Sequence, residues 1–193
     1  LVSQAQRCRE ILGRLSDRGE AGDMMMERIG LDLLLKEAAG PFVDKRAGPA
    51  VIFEIKGGAE DEAAPILQRR PEIIYGLRNI IENAAAYAQS KVLVSADWSK
   101  DAVTIEVLDD GPGFSADVLA RLGEPYLGAK GRGARLSSRK GGLGLGFFIA
   151  KTLLERSGAA ISFDNRSWDG EPGVSGAWVA ARWEGPAIFA PGG

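Results

Sequence analysis

Histidine is absent from this chain of 193 residues, and its single cysteine is Cys8. Without histidine, catalysis of the Ser-His-Asp and Cys-His types is excluded, and the commonest metal ligand is missing. One cysteine and no histidine also disfavour a zinc site. No disulfide can form within the chain, which fits a reducing compartment.

Long apolar runs and a large net charge are absent as well. No segment approaches the roughly 18 apolar residues of a membrane-spanning helix, and no signal peptide is recognisable. The 24 basic and 26 acidic residues nearly balance, whereas nucleic-acid-binding modules usually carry a basic surface. Length and a hydrophobic content of 45% predict one globular domain with a small appendage. Because the sequence lacks an initiator Met, we interpret it as a fragment.

The first residues predict a helix with a heptad pattern. Leu1, Ala5, Cys8, Leu12 and Leu15 follow one another at alternating spacings of four and three. Such a helix either dimerises in a coiled coil or bundle, or packs on its own domain. We predict this helix over residues 1–18, a linker over 19–26, a globular domain over 27–185 and a tail over 186–193.

Periodicity and turn signals within the globular part predict an α/β layered domain. Helices are expected on one face of a mixed or mostly antiparallel sheet. The predicted helices span residues 31–42, 71–89 and 147–156. The predicted strands span residues 51–55, 91–98, 103–108, 160–163 and 177–183.

The helix that begins at Pro71 carries two asparagines, Asn79 and Asn83, four residues apart and therefore on the same face. Amide oxygens are neutral, hard ligands that suit Mg²⁺ shared with phosphate oxygens. A solvated polar stripe is the alternative interpretation of this pair.

Asp109 follows a predicted strand and precedes Gly111 and Gly113. A carboxylate at a strand end, beside backbone that allows close approach, suits recognition of the exocyclic amine of a base such as adenine. An ordinary turn is the alternative, because Asp-Gly and Pro-Gly pairs are common in turns.

Glycine is abundant, with 26 residues, of which ten lie between Gly111 and Gly146. The glycine-rich residues 141–146 lead into the last predicted helix, where backbone N–H groups can bind phosphates. They do not form a Walker A motif, because no Gly-Lys-Ser/Thr follows. Residues 128–140 add five basic side chains and predict a lid over a polyphosphate. A flexible linker and a solvated loop are the alternatives.

Taken in order, these motifs resemble a known set. The N-x-x-x-N helix, the D-x-G-x-G turn, Glu-Pro-Tyr at 124–126 and G-x-G-x-G resemble the N, first glycine, F and second glycine boxes of histidine-kinase catalytic domains. The resemblance covers about residues 23–183. It implies the Bergerat ATP-binding fold, shared with gyrase, Hsp90 and MutL. That fold is an α/β two-layer sandwich of three helices on a mixed, about five-stranded sheet, here preceded by a short dimerisation-bundle helix.

The resemblance also implies ATP and Mg²⁺ as cofactors and assigns roles by position. Asn83 matches the catalytic amide that ligates Mg²⁺, Asn79 assists it on the phosphate side, and Asp109 accepts from adenine. The other residues implied to bind the nucleotide are Tyr87, Gly111, Gly113, Lys130, Lys140, Gly142, Leu143, Gly144, Leu145 and Gly146.

Asn79, Ala86 and Gly123 are among the positions that depart from the relatives. Asn79 stands where gyrase-like proteins carry a glutamate that activates water, which disfavours steady hydrolysis and favours transfer to a protein side chain. Ala86 replaces a basic residue near the phosphates, and Gly123 replaces the usual Phe of the F box. A gyrase- or Hsp90-like ATPase and a degenerate nucleotide-binding or scaffold module therefore stay open as alternatives.

Residues 7–12, 75–84 and 142–150 are most similar to RegB/PrrB-type redox-responsive sensor kinases. This implies a homodimeric, membrane-anchored two-component kinase, of which this chain is a cytoplasmic part without membrane or nucleic-acid contacts of its own. Its protein partners would be its own phosphotransfer domain, which holds the acceptor histidine, and a response-regulator receiver domain. Cys8 becomes a candidate redox thiol, since Arg7 and Arg9 flank it; a small buried seam residue is the alternative.

Overall fold

The structure, a computed structural model, describes residues 28–43, 48–55, 64–119, 145–167, 175–185 and 188–189. The helices are α1 (Leu31–Val43), α2 (Pro71–Tyr87), α3 (Ala116–Leu119) and α4 (Leu145–Arg156). The strands are β1 (Arg28–Gly30), β2 (Ala50–Ile55), β3 (Ile66–Gln68), β4 (Lys91–Ser99), β5 (Ala102–Asp109), β6 (Ala159–Ser167) and β7 (Ser175–Glu184). The predicted N-terminal helix and linker lie outside these residues. Within them, no helix is long and apolar enough to cross a bilayer.

The main sheet has five strands in the order β2-β4-β5-β7-β6. Strand β2 runs parallel to β4, and every other neighbouring pair is antiparallel. The mixed sheet of about five strands is therefore confirmed. The register aligns Val94 of β4 with Val107 of β5, and Val107 with Val179 of β7, so one row of small apolar side chains crosses the centre of the sheet.

The core lies between this sheet and helices α1, α2 and α4. Alternate residues of β4, beginning with Val92, are buried, as expected for a strand with one face on the core. Helix α2 adds an apolar stripe that includes Leu77 and Ile81. A Cβ at Gly76 would lie 2.6 Å from Leu154 Cγ, so the absent side chain lets α2 and α4 pack closely.

A two-stranded ribbon outside the main sheet was not predicted. Strand β1 pairs antiparallel with β3, and Leu67 of β3 also bridges to Phe189. The Gln68 N–H donates to the carbonyl of Ile188 at 2.8 Å, and Ile188 is fully buried. These strands have only three residues each, too short for periodicity to indicate them.

The observed elements extend or shorten the predicted ones by a few residues. Helix α2 ends at Tyr87 instead of residue 89, because Ala88 adopts an extended conformation with ψ of 145°. Helix α4 begins two residues earlier than predicted, at Leu145. Strand β6 continues to Ser167, where its outward-facing side chains are polar and gave no apolar signal.

Candidate functional site

Asp109 ends β5 and is 3% exposed, although it is a carboxylate. Its Oδ1 accepts hydrogen bonds from the N–H of Gly111 at 2.8 Å and of Ala177 at 3.3 Å. No group in the described part of the chain donates to Oδ2. One carboxylate oxygen is thus held by the protein, and the other keeps its capacity to accept.

Burial raises the pKa of Asp109 above its ordinary value. The backbone hydrogen bonds from Gly111 and Ala177 oppose that rise, and the neighbouring charge of Asp110 adds to it. A buried carboxylate whose pKa is raised by burial is a candidate for a functional site.

Two glycines pack directly against the backbone around Asp109. A Cβ at Gly176 would overlap the carbonyl oxygen of Asp109 and lie 2.5 Å from its carbonyl carbon. A Cβ at Gly111 would collide with the carbonyl of Tyr87, 3.0 Å from its carbon, and lie 2.8 Å from Asp109 Oδ1. Sequence analysis explained Gly111 by access for a base; the structure adds that its nearest neighbours belong to the protein itself.

Tyr87 is the last residue of α2, and its side chain is 50% exposed. Its carbonyl lies against Gly111, so the end of α2 and the loop after β5 are in contact. An exposed aromatic ring on a residue whose backbone contacts the loop after Asp109 is a suitable surface for stacking a base.

Asp110, which sequence reasoning did not single out, binds the segment that connects α2 to β4. Its carboxylate accepts from the N–H groups of Gln89 at 2.8 Å, Ser90 at 3.0 Å and Lys91 at 3.1 Å, and from the Ser90 hydroxyl. Burial acts to raise the pKa of Asp110, but the hydrogen bonds from Ser90, Lys91 and Gln89 outweigh it and lower the pKa. Asp110 therefore anchors the start of β4 as an ionised group.

Asn79 and Asn83 are partly buried on one face of α2. Asn79 Nδ2 donates to the carbonyl of Tyr75 at 2.8 Å, and Asn83 Nδ2 donates to the carbonyl of Asn79 at 2.6 Å. Each side-chain amide nitrogen thus donates to the carbonyl four residues earlier in the same helix. No described residue donates to either amide oxygen, so both Oδ1 atoms keep their lone pairs for a ligand.

Helix α4 approaches α2 at Asn83. Leu145 and Gly146 form the first turn of α4, and a Cβ at Gly146 would lie 3.0 Å from Asn83 Nδ2. The amide face of α2 thus adjoins the N-terminal end of α4, whose first N–H groups favour anions. Lys130, Lys140, Gly142, Leu143, Gly144 and Cys8 lie outside the described residues, so their roles stay predictions.

No group of three or more His, Cys, Asp or Glu side chains able to hold a metal occurs among the residues that the structure describes. The hard amide oxygens of Asn79 and Asn83 suit Mg²⁺, which commonly shares phosphate oxygens.

A second residue that sequence reasoning missed is Asn165 of β6. Its side chain contacts the loop after β5 at Gly113 and Phe114. An asparagine in a long, partly polar strand carries no signal of such a contact, because its partner is 51 residues away.

Comparison with protein families gives one match, over residues 69–182, to the "Histidine kinase-, DNA gyrase B-, and HSP90-like ATPase" family. The chain is 43% identical over 167 residues to the sensor histidine kinase RegB of Cereibacter sphaeroides. It is 31% identical over 144 residues to the sensor histidine kinase GtrS of Pseudomonas aeruginosa. These alignments cover 84% and 73% of this chain but 35% and 26% of the relatives, so the chain spans about a third of the length of RegB and about a quarter of that of GtrS.

Solved structures with a similar fold include a mycobacterial sensor histidine kinase, MprB, with a TM-score of 0.58 and 17% identity. The catalytic domain of the histidine kinase ThkA, solved nucleotide-free, has a TM-score of 0.57 and 20% identity. The matches cover 82% and 84% of this chain and 98% of each solved chain. Three helices on a mixed five-stranded sheet therefore form the Bergerat fold predicted above.

Proposed function

This chain belongs to the histidine kinase-, DNA gyrase B- and HSP90-like ATPase family, and we propose that it is the ATP-binding catalytic domain of a sensor histidine kinase. The intact protein would transfer the γ-phosphoryl group of ATP to a histidine. Because this chain has no histidine, the acceptor lies outside it. A response-regulator aspartate would then receive the phosphoryl group. The similarity to RegB supports this proposal.

The buried carboxylate of Asp109 is the observation that carries the proposal. A fully buried acid with one oxygen fixed by Gly111 and Ala177, and the other able to accept, is matched by the exocyclic amine of adenine. Tyr87, whose backbone carbonyl contacts Gly111, would offer its exposed ring as a face for the base. Adenine binding would supply Oδ2 of Asp109 with the donor that the described residues do not provide.

We place the phosphates between α2 and the start of α4. Asn79 and Asn83 would direct their amide oxygens to Mg²⁺ and the phosphates, while Leu145 and Gly146 would offer backbone N–H groups. Residues 142–144 and the cations Lys130 and Lys140 would complete this end of the site. Mg²⁺, when bound, neutralises phosphate charge and helps to orient the transferred group.

Asn79 favours phosphoryl transfer to a protein over hydrolysis of ATP. An amide in place of a carboxylate cannot accept a proton from water, so the chain would hold ATP without consuming it at a steady rate. Measurable steady-state hydrolysis of ATP by the purified chain would contradict this part of the proposal and support a gyrase-like ATPase.

We further propose that the intact protein is a homodimeric, membrane-anchored sensor with this chain on the cytoplasmic side. Cys8 is the candidate redox thiol on its dimerisation helix. Mild oxidant should then produce a covalent dimer on a non-reducing gel, and a Cys8→Ser variant should remain monomeric on the same gel. A monomeric band from the oxidised parent chain would remove the support for this assignment.

The central test is calorimetric titration of ADP and a non-hydrolysable ATP analogue, each with and without Mg²⁺. We expect micromolar binding that prefers adenine to guanine. Asp109→Asn should raise the Kd at least tenfold, about 1.4 kcal/mol, because an amide can present a donor to the adenine amine. Asn83→Asp should weaken binding to a similar extent.

Asp97→Asn provides the matched control for Asp109→Asn. Asp97 is an exposed carboxylate on β4, so its neutralisation changes the net charge equally without touching the site. We expect an unchanged Kd for this variant. Equal affinities of the parent chain and a folded Asp109→Asn variant would refute the assignment of the base site, and no binding at all would favour a scaffold module.

A further inference from the structure

We propose that Asn165 is a positioning residue that holds the base-binding loop in its competent shape. This inference rests on the proposed nucleotide site. Asn165 lies on β6, outside every motif that the sequence analysis assigned. It acts through the backbone of the loop that follows Asp109, and nothing places it in contact with the base itself.

The side chain of Asn165 makes a two-way clamp on one residue of that loop. The N–H of Phe114 donates to Asn165 Oδ1 at 2.7 Å, and Asn165 Nδ2 donates to the carbonyl of Phe114 at 2.8 Å. Both hydrogen-bonding groups of the Phe114 backbone are therefore satisfied by a single amide. Only an asparagine-like group, with an acceptor and a donor side by side, can make this pair.

The clamp also accounts for the glycine that precedes Phe114. Gly113 has a φ of +72°, a backbone conformation that residues other than glycine rarely adopt. A Cβ at Gly113 would lie 2.7 Å from Asn165 Oδ1. From the sequence, Gly113 was predicted to bind the nucleotide. In the structure its close neighbour is the side chain of Asn165, and the absence of a Cβ at Gly113 leaves room for the clamp.

Strand β6 is an edge strand of the sheet. Contacts on the face away from the Asn165 side chain hold it to the other strands. The guanidinium of Arg166 lies 3.4 Å from the ring centroid of Trp178 on β7 and 3.6 Å from a carboxylate oxygen of Glu106 on β5. Adjacent residues of a strand point to opposite faces. Arg166 therefore fastens β6 across the sheet while Asn165 reaches the loop on the other side.

An aromatic chain links the clamped loop to the phosphate end of the site. The rings of Phe114 and Phe147 meet edge to face with centroids 5.5 Å apart, and those of Phe147 and Phe163 meet at 5.9 Å. Phe147 follows Gly146 in the first turns of α4. By holding Phe114, the clamp fixes the ring that contacts Phe147 near the start of α4. The proposed base site and the proposed phosphate site therefore both depend on the position of Phe114.

The test compares Asn165→Ala and Asn165→Asp with the parent chain of 193 residues. Asn165→Ala removes both hydrogen bonds, and Asn165→Asp keeps the acceptor but turns a carboxylate oxygen toward the Phe114 carbonyl. We expect both variants to raise the Kd for ADP at least tenfold and to reduce the preference for adenine over guanine. Ser162→Ala, an exposed position of the same strand, is the matched control and should bind like the parent.

Hydrogen exchange at the Phe114 amide supplies a readout that loss of general stability would not mimic. In the parent chain without nucleotide, this amide should be protected, and in Asn165→Ala it should exchange at least tenfold faster while core amides of β5 keep their protection. Unchanged affinity for ADP in a variant whose Phe114 amide has become unprotected would overturn the positioning role. Loss of protection throughout β5 would also overturn it, because Asn165 would then be a general stabilising residue.

The two proposals fail in different ways. If the parent chain binds no ADP, the proposed function fails, and the role of Asn165 fails with it. If the parent binds ADP, Asp109→Asn does not, and Asn165→Ala binds normally, the base site is supported and the positioning role alone is overturned.

Discussion

Replacement of Gly176 by alanine is the sharpest test of how the base site is built. Gly176 lies in β7 where this strand passes the end of β5, just beyond the last paired residues, Leu108 and Trp178. The next residue, Ala177, donates its N–H to Asp109 Oδ1. A side chain at Gly176 therefore acts directly on the backbone that presents the Asp109 carboxylate.

The expected magnitude follows from the space available. A Cβ at Gly176 would overlap the carbonyl oxygen of Asp109 and lie 2.5 Å from the carbonyl carbon, against 3.4 Å for ordinary contact. The two backbone segments would have to separate by roughly 1 Å or more, and overpacking of this kind typically costs about 1–3 kcal/mol. We expect the upper end, about 3 kcal/mol, because the Cβ is fixed to its own backbone and meets the backbone of Asp109, so no rotamer change relieves the overlap.

Urea unfolding, followed by the fluorescence of the four tryptophans, measures this loss as a lower midpoint at unchanged slope. Calorimetry on the same variant at low temperature should show at least a tenfold weaker ADP complex, because displacement of Ala177 removes a donor from Asp109. Gly30→Ala is the matched control, since its added Cβ would meet only Asp32 Oδ1, at 3.0 Å. Asp32 is an exposed side chain that can rotate away, so this variant should stay within about 0.5 kcal/mol of the parent.

This expectation would be refuted by a Gly176→Ala variant that binds ADP normally and whose free energy of unfolding lies within about 0.5 kcal/mol of the parent's. It would mean that β7 and the end of β5 do not approach as closely as the structure shows. Asp109 would then not be presented by a fixed backbone.

The remaining predictions concern the adjacent acids, whose stability effects should have opposite dependences on pH. Because burial raises the pKa of Asp109, its carboxyl group binds a proton more tightly in the folded state than in the unfolded state. The parent should therefore lose stability relative to Asp109→Asn as the pH rises from 3.8 through the pKa that Asp109 has in the folded state. The pKa of Asp110 is lowered by the hydrogen bonds it accepts, so its stabilisation is complete above pH 3.8 and is lost as pH falls through its folded value. Urea midpoints from pH 3 to pH 7, compared between the parent, Asp109→Asn and Asp110→Asn, check both signs, and differences that do not vary with pH would contradict them. Asp110→Asn should also cost about 1–3 kcal/mol at pH 7, since one amide cannot replace an ionised acceptor of four donors.

Much of this architecture could be predicted from local sequence patterns. Apolar alternation over β4 and β5 and the stripe on α2 are strong, regular signals, and the family resemblance supplied the mixed sheet of about five strands, but not the order of its strands. Asp109 and Asn83 were found because they sit in short motifs with a chemical logic. The fold and the family are confirmed; the individual roles of these residues stay predictions.

The features that were missed depend on contacts between distant parts of the chain. Asn165 and Phe114 are 51 residues apart, and neither side chain signals the other. Asp110 looked like a turn residue beside Asp109, yet it is the anchor for the start of β4. The ribbon of β1, β3 and Phe189 joins segments near both ends of the described chain, which no local pattern relates.

That ribbon has a consequence for how the domain can be isolated. The family match ends at residue 182 and begins at 69, but fully buried side chains lie beyond it on both sides, among them Leu31, Leu34 and Ile188. A gene segment trimmed to the matched residues would delete one of the three main helices and uncover the apolar surface that it covers. We therefore expect a stably folded fragment to need the segments that contain Leu31, Leu34 and Ile188, because borders drawn at the family match alone fall inside the hydrophobic core.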